Sequence, residues 1–253
     1  HYDHSSVDLK ELEKQFSEYF KIFPWNKNIT DGIGVDFGCG TGRWANFVAD
    51  KTNLLLCIDA SSKAVGVAKK NLVDKKNCYV VQGMIDALPI LDNSLDFAYS
   101  LGVLHHLPDT ERAIKSCARK LKSGAPFLMY LYYAFDNRPF WYSLIWKCTN
   151  MIRKVISKLP FFLKYFLTNI IAMIIYFPLA RVSFFLEKKG VNISNIPLSE
   201  YREKSFYTMR TDSLDRFGTR LEQRFTKDHI ERMMKNSELE NICFSDTAPY
   251  WCV

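Results

Sequence analysis

The sequence predicts a doubly wound, mostly parallel α/β sheet that carries a largely helical insertion. Three observations point there. Short apolar runs alternate with helix-like stretches from about residue 32 to 133, a pattern that builds parallel sheets covered on both faces. A glycine-rich turn, "VDFGCGTGRW" (35–44), joins the first run to the first of those helices. The alternation then lapses between residues 134 and 225 and resumes at Thr226.

Each element has a local reason. "VDLKELEKQFSEYFKIFPW" (7–25) reads as an amphipathic helix stopped by Pro24. The expected strands are "GIGVDFG" (32–38), "LLLCIDA" (54–60), "CYVVQG" (78–83), "LDFAYSL" (95–101) and "PFLMYLYY" (126–133), with helices near 43–50, 61–72 and 109–122. Pro108-Asp109 starts the last of these helices and Lys122-Ser123-Gly124 stops it. At the far end, 226–239 is a helix with Thr226 as N-cap, and "ENICFSDTAPYWCV" reads as two short strands turning at Ala248-Pro249. The chain thus divides into a helical cap (1–31), an α/β core (32–134), an insertion (135–225) and a C-terminal helix and hairpin completing the core (226–253).

With 48% hydrophobic and 24% charged residues, the chain can bury a sizeable core and is not a disordered segment. Its seven cysteines contain no C-x-x-C pair. Neither a zinc site nor a disulfide framework is expected, and a reducing cytoplasm fits best, with no secretory signal at the start. The net charge of +7 is concentrated: residues 136–224 hold 15 Lys and Arg against 7 Asp and Glu. This basic stretch is threaded with apolar residues and shows no RNA-recognition signature, so nucleic acid is disfavoured as a partner.

Gly38, Gly40 and Gly42 form G-x-G-x-G between strand and helix, letting a ligand lie against bare backbone. The dinucleotide fingerprint would need a third glycine at position 43, which is Arg, and no Gly-Lys-Ser/Thr phosphate loop occurs. Phosphate is therefore disfavoured as the ligand. Asp36 precedes the loop and Asp59 ends the second strand. A carboxylate is acceptor-only, so Asp59 suits a ribose with two free hydroxyls. Asp36 could face an ammonium or the loop amides, and both acids could equally cap turns.

"VDFGCGTGRW", "CIDAS", "GMIDALPILDNSLDFAYSLGVLHHLPD" and the turn before "PFLMYLYY" together resemble the class I S-adenosylmethionine-dependent methyltransferases over residues 32–133. The resemblance implies a seven-stranded sheet, with S-adenosyl-L-methionine as cofactor and S-adenosyl-L-homocysteine as product. It implies cofactor contacts from Asp36, the loop Gly38, Cys39, Gly40 and Gly42, then Asp59 and Ala60, and the backbone at Ser100 and Leu101. Many such enzymes carry an Asp for the adenine amino group where this chain has Met84, so adenine is expected against Met84 and Ile85, helped by Asp86.

His105 and His106 follow the fourth strand, where the family's cofactor presents its methyl group. Either could act as general base for an alcohol or amine acceptor, or the pair could merely shape the loop. Trp44, Tyr130, Tyr132 and Tyr133 could line an acceptor pocket or pack the core, and Arg210 could clamp an anionic acceptor. In the insertion, 141–159 has one apolar helical face opposite Lys147, Lys154 and Lys158, and Pro160 ends it. Residues 165–180 follow without a charge, a run too short for a membrane span and expected to end near Pro178. Two readings of the insertion stay open: a lid over the acceptor with 165–180 as its buried core, or a peripheral membrane contact through 141–189. The acceptor is expected to be small or lipid-like. The alternative is a non-catalytic cofactor-binding subunit or a peripheral-membrane protein that docks through the insertion.

Overall fold

The computed structural model describes residues 7–88, 90–248 and 250–253. Residues 1–6 of the expected cap and Pro249 of the expected turn lie outside these. The described chain divides into two compact units: Glu13–Tyr133 with Gln223–Val253, and Ala134–Glu222 with the residues up to Leu12.

The first unit is built on α1 (Leu9–Tyr19, whose first turn belongs to the second unit), α2 (Lys27–Thr30), β1 (Ile33–Phe37), α3 (Ala45–Val48), β2 (Leu54–Asp59), α4 (Ser62–Asn71), β3 (Cys78–Gln82), β4 (Phe97–Leu101), α5 (Thr110–Ala118) and β5 (Phe127–Tyr130). Side-chain caps start two of these helices. Asp109 accepts from Arg112 N at the head of α5, and Ser61 accepts from Ala64 N at the head of α4. The five strands make one parallel sheet in the order β3-β2-β1-β4-β5. Strand order reverses between β1 and β4, which makes the carboxyl ends of those two strands the switch point where ligands bind in such sheets.

Apolar layers cover both faces. Val35, Phe37, Leu104, Ile114 and Met129 share one cluster, while Leu55, Phe97, Tyr99 and Leu128 share the other with Phe16, Phe20 and Phe23 of the N-terminal segment. That segment is therefore part of the core. Downstream, α6 (Phe140–Ile156), α7 (Phe161–Ile171), α8 (Phe177–Lys188) and α9 (Phe206–Gly218) make the second unit, and α10 (Lys227–Asn236), capped by Thr226, returns to the first.

Two expectations change. The C-terminal hairpin is not a strand pair, so the described sheet has five strands rather than seven. Only its end pairs: Val253 N donates to Met129 O (3.0 Å) and Met129 N to Val253 O (2.7 Å), while Ser245 N donates to Cys252 O. Ser245 Oγ bonds Thr247 O, giving this backbone a local alternative to a ladder. Secondly, the apolar run does not end near Pro178. It continues as one helical stretch from Phe161 to Lys188, 28 residues long, through a π-turn at Ala172–Tyr176 immediately before Pro178. A π-turn loosens the i→i−4 ladder and gives room for a ring that would otherwise meet the carbonyl one turn earlier.

Candidate functional site

The glycine loop leaves the carboxyl end of β1 with positive φ at all three glycines, 82° at Gly38, 54° at Gly40 and 80° at Gly42. At Gly38 a side chain would also collide: a Cβ there would lie 2.5 Å from the Val103 methyls. At Gly40 a Cβ would meet no heavy atom within 4 Å, so the bareness here leaves room for a ligand instead of relieving crowding. Gly38 N and Cys39 N both donate to Ile58 O, at 2.8 and 2.9 Å, which ties the loop to β2.

Asp59 closes this arrangement. Its Oδ2 accepts from Gly40 N (2.9 Å) and its Oδ1 from Ser61 N (2.8 Å). A carboxylate has roughly four lone-pair sites, so one bond to the loop and one to the head of α4 still leave capacity for a vicinal diol. The capping and ribose-binding readings of Asp59 are thus compatible. Asp36 is buried on β1, in register with Tyr99 of β4. Neither Asp36 Oδ2 nor Tyr99 Oη has a hydrogen-bond partner within 3.5 Å. Desolvation raises the Asp36 carboxyl well above the usual range, only partly offset by the nearby Tyr99 hydroxyl.

Beside Asp59, Gly83 N donates to Asp59 O (3.0 Å), carrying the end of β3 to the same side of the sheet. There Met84 is exposed in a turn closed by Ala87 N to Met84 O, Ile85 packs against the core, and Ala60 and Asp86 are exposed. Ser100 is fully buried and its hydroxyl donates to Phe37 O (2.8 Å), so its side chain serves the sheet and leaves half-buried Leu101 as the accessible position. Cys39 is buried and its thiol is pushed far up by desolvation, in keeping with a small inert spacer.

After β4, the two histidines part company. His105 is fully buried, with no hydrogen-bond partner on either ring nitrogen, and its ring stacks on Tyr132 at 3.8 Å. Burial, with His106 and Arg224 nearby, holds it well below the ordinary His range, hence neutral. His106 is half-buried, 4.1 Å from His105 and edge-on to Tyr132 at 5.7 Å between ring centres.

Gln223 and Arg224 complete this corner, and neither stood out in the sequence. Gln223 N donates to His105 O and its side chain to Leu107 O (2.6 Å); the Arg224 guanidinium lies 5.1 Å over the Tyr132 ring and bonds Tyr133 O. A signal existed in "EQRF", polar residues directly before the capped helix α10. Tyr133 is half-buried and pairs with Phe225. Trp44 is instead a packing residue, buried against Tyr19 with Arg43 at 4.0 Å over its ring. Arg210 belongs to the helical unit, where it lies over the rings of Tyr207 and Tyr165.

Residues 35–129 match the family described as methyltransferase domain. Together with the loop, Asp59 and the strand order, this decides the family. Residues 35–129 are a class I methyltransferase domain. The cofactor of such methyltransferases is S-adenosylmethionine. Phosphoethanolamine N-methyltransferase 2 of Caenorhabditis elegans is 34% identical to the chain over 101 residues, 39% of this chain and 23% of that protein. Ubiquinone biosynthesis O-methyltransferase of Nitrosomonas europaea is 33% identical over 151 residues, 48% of this chain and 62% of that one. The chain thus spans less than two thirds of the length of either. A solved SAM-dependent methyltransferase of Thermotoga maritima shares the fold at TM-score 0.50 and 17% identity, covering 91% of this chain and 72% of that one.

Proposed function

We propose that the methyltransferase domain binds S-adenosylmethionine across Gly38–Gly42 and Asp59 and transfers its methyl group to a small or lipid-like acceptor. The observation that supports this most is the Asp59 latch: one carboxylate bonds the loop at Gly40 and keeps acceptor capacity beside an open glycine. Asp59 would hold the ribose hydroxyls, Gly38–Gly40 the amino-acid part, and Met84 and Ile85 the adenine. The buried, unpartnered Asp36 Oδ2 suits the ammonium group, whose arrival would return Asp36 to its charged form.

The bound cofactor supplies an electrophilic methyl on a sulfonium, a leaving group needing no protein acid. What remains for the chain is alignment and, for an alcohol or amine acceptor, removal of one proton. His106 takes the role of base, because His105 has no exposed surface and its low basicity suits it poorly to carry a proton. His105, clamped between Tyr132 and the backbone bond from Gln223, sets the loop that presents His106.

The test is product analysis with methyl-labelled S-adenosylmethionine and a panel of phenol, amine and lipid acceptors. Acceptor-dependent S-adenosylhomocysteine is the expected result, lowered about 100-fold in His106→Ala, within the usual range for a lost general base. Tight cofactor binding with no turnover on any acceptor would mark a non-catalytic binding subunit, and methylthioadenosine would mark transfer of a different group.

A further inference from the structure

Around a small apolar cluster of Ile156, Tyr176, Met209 and Phe217, two helices of the helical unit turn polar or small side chains inward and large apolar ones outward. On α6 and its C-cap the side chains turned inward include Asn150, Arg153, Ile156 and Ser157, with Arg153 only 4% exposed and donating to Asn150 Oδ1, Thr219 O and Arg220 O. The outward stripe is Phe140, Leu144, Met151, Ile152 and Val155, with Phe140 at 86% and Val155 at 65% exposure. The long helix Phe161–Lys188 repeats the pattern. Its buried row is Thr168, Ala172, Tyr176, Ala180 and Ser183, small or polar at nearly every fourth residue, while Phe162 (71%), Phe166, Ile174 and Phe185 are exposed. Only 22% of its most apolar window is buried, so 165–180 is not the buried core that a lid would require.

A water-soluble helix hides its apolar stripe. Small and hydroxyl residues at the helix contacts with large apolar side chains outside is the arrangement of helices solvated by lipid. The surrounding charge narrows the partner. From Lys147 to Lys189 there are eight basic residues and one acidic one, and Lys147, Lys154, Lys158, Lys188 and Lys189 are exposed. Aromatic and aliphatic groups interleaved with lysine suit the interface of an anionic bilayer.

A crossing orientation conflicts with the packing. Although 28 residues are long enough to span, α9 packs along α7, with Ser213 Oγ bonded to Thr168 O (2.9 Å). That neighbour carries Arg210, Asp212, Asp215 and Arg216, which a crossing would drag into hydrocarbon.

We propose that the helical unit seats in the plane of an anionic membrane surface, burying the outward stripes of α6 and of the Phe161–Lys188 helix among the lipids. The seat rests on the surface of this unit alone and needs no bound cofactor. The test is flotation of the full chain with phosphatidylcholine vesicles, with and without phosphatidylglycerol. The chain is expected to float with the phosphatidylglycerol vesicles, and more weakly with phosphatidylcholine alone or in high salt. The double variant Ile152→Ser/Phe162→Ser, at exposed sites, should lower partition about tenfold or more with an unchanged circular dichroism spectrum. Lys154→Glu/Lys158→Glu should lower it only on anionic vesicles. Asp59→Ala should float like the native chain, which separates this proposal from the methyl-transfer reading. Absence of flotation on either vesicle, flotation indifferent to both double variants, or a discrete dimer in sedimentation that the serine variant dissolves while vesicles do not bind, would overturn it.

Discussion

The two units solve opposite packing problems with the same apolar content. In the sheet unit the strands bury Val35, Phe37, Leu55, Phe97 and Met129 completely, with Asp36 the buried carboxyl among them. In the helical unit Arg153, Glu222, Thr168 and Ser183 are inside while Phe140, Phe162, Phe166 and Phe185 face outward. Glu222 is neutralised there by Arg216 at 2.7 Å and bonded by the Trp146 indole. The contrast teaches that a hydrophobic stretch does not by itself say which way it faces. Partners for the polar residues decide that.

The comparison can be broken from either side. In the sheet unit, Leu55→Ala removes a fully buried side chain and should cost about 3 kcal/mol, read as a shift in urea midpoint. In the helical unit the largest cost should come from a polar residue. Arg153→Ala strands Thr219 O, Arg220 O and Asn150 Oδ1, a loss of about 2 kcal/mol or more. A cost below that of exposed sites would show that the reversed interior is not cohesive.

The pH response sharpens the contrast further. His105 is neutral in the fold because burial lowers its pKa from 6.5, so the unfolded chain binds the extra proton first. Its stabilising share is complete above the ordinary His range and falls as pH drops below it, by at most about 1.4 kcal/mol per pH unit. His105→Asn should flatten stability between pH 7 and 5 relative to the native chain. Asp36 runs the other way: its raised pKa means the fold holds a proton the unfolded chain releases, so this group costs stability as pH rises above 3.8. The smallest effect belongs to Phe162→Ser, which should change stability in water by less than about 0.5 kcal/mol, since the side chain is mostly exposed.

The sheet was largely readable because its signals are local. The Gly-rich turn, Asp59 at the end of β2 and the helix caps at Asp109 and Thr226 are local signals, and the structure uses each of them. Two kinds of information were not local. Whether the apolar face of 141–159 points in or out depends on Thr219 and Arg220, whose carbonyls draw Arg153 inward from more than sixty positions away. The passage of the long helix through Pro178 depends on a π-turn that no residue type demands. At the site, Asp59 could be placed from its spacing, but the pairing of Asp36 with Tyr99 is a matter of register between strands 63 positions apart. The distinction between His105 and His106 likewise needed burial, because adjacent residues look alike in sequence.

The proposed cofactor site stands or falls with the Asp59 latch and the open Gly40. Calorimetric titration of the native chain and of Asp59→Ala with S-adenosylmethionine and S-adenosylhomocysteine tests it most directly. Binding to the native chain is expected, weakened at least about tenfold by Asp59→Ala, equivalent to roughly 1.4 kcal/mol, with the circular dichroism spectrum retained. Equal affinity in both proteins, or no binding to the native chain, would contradict it.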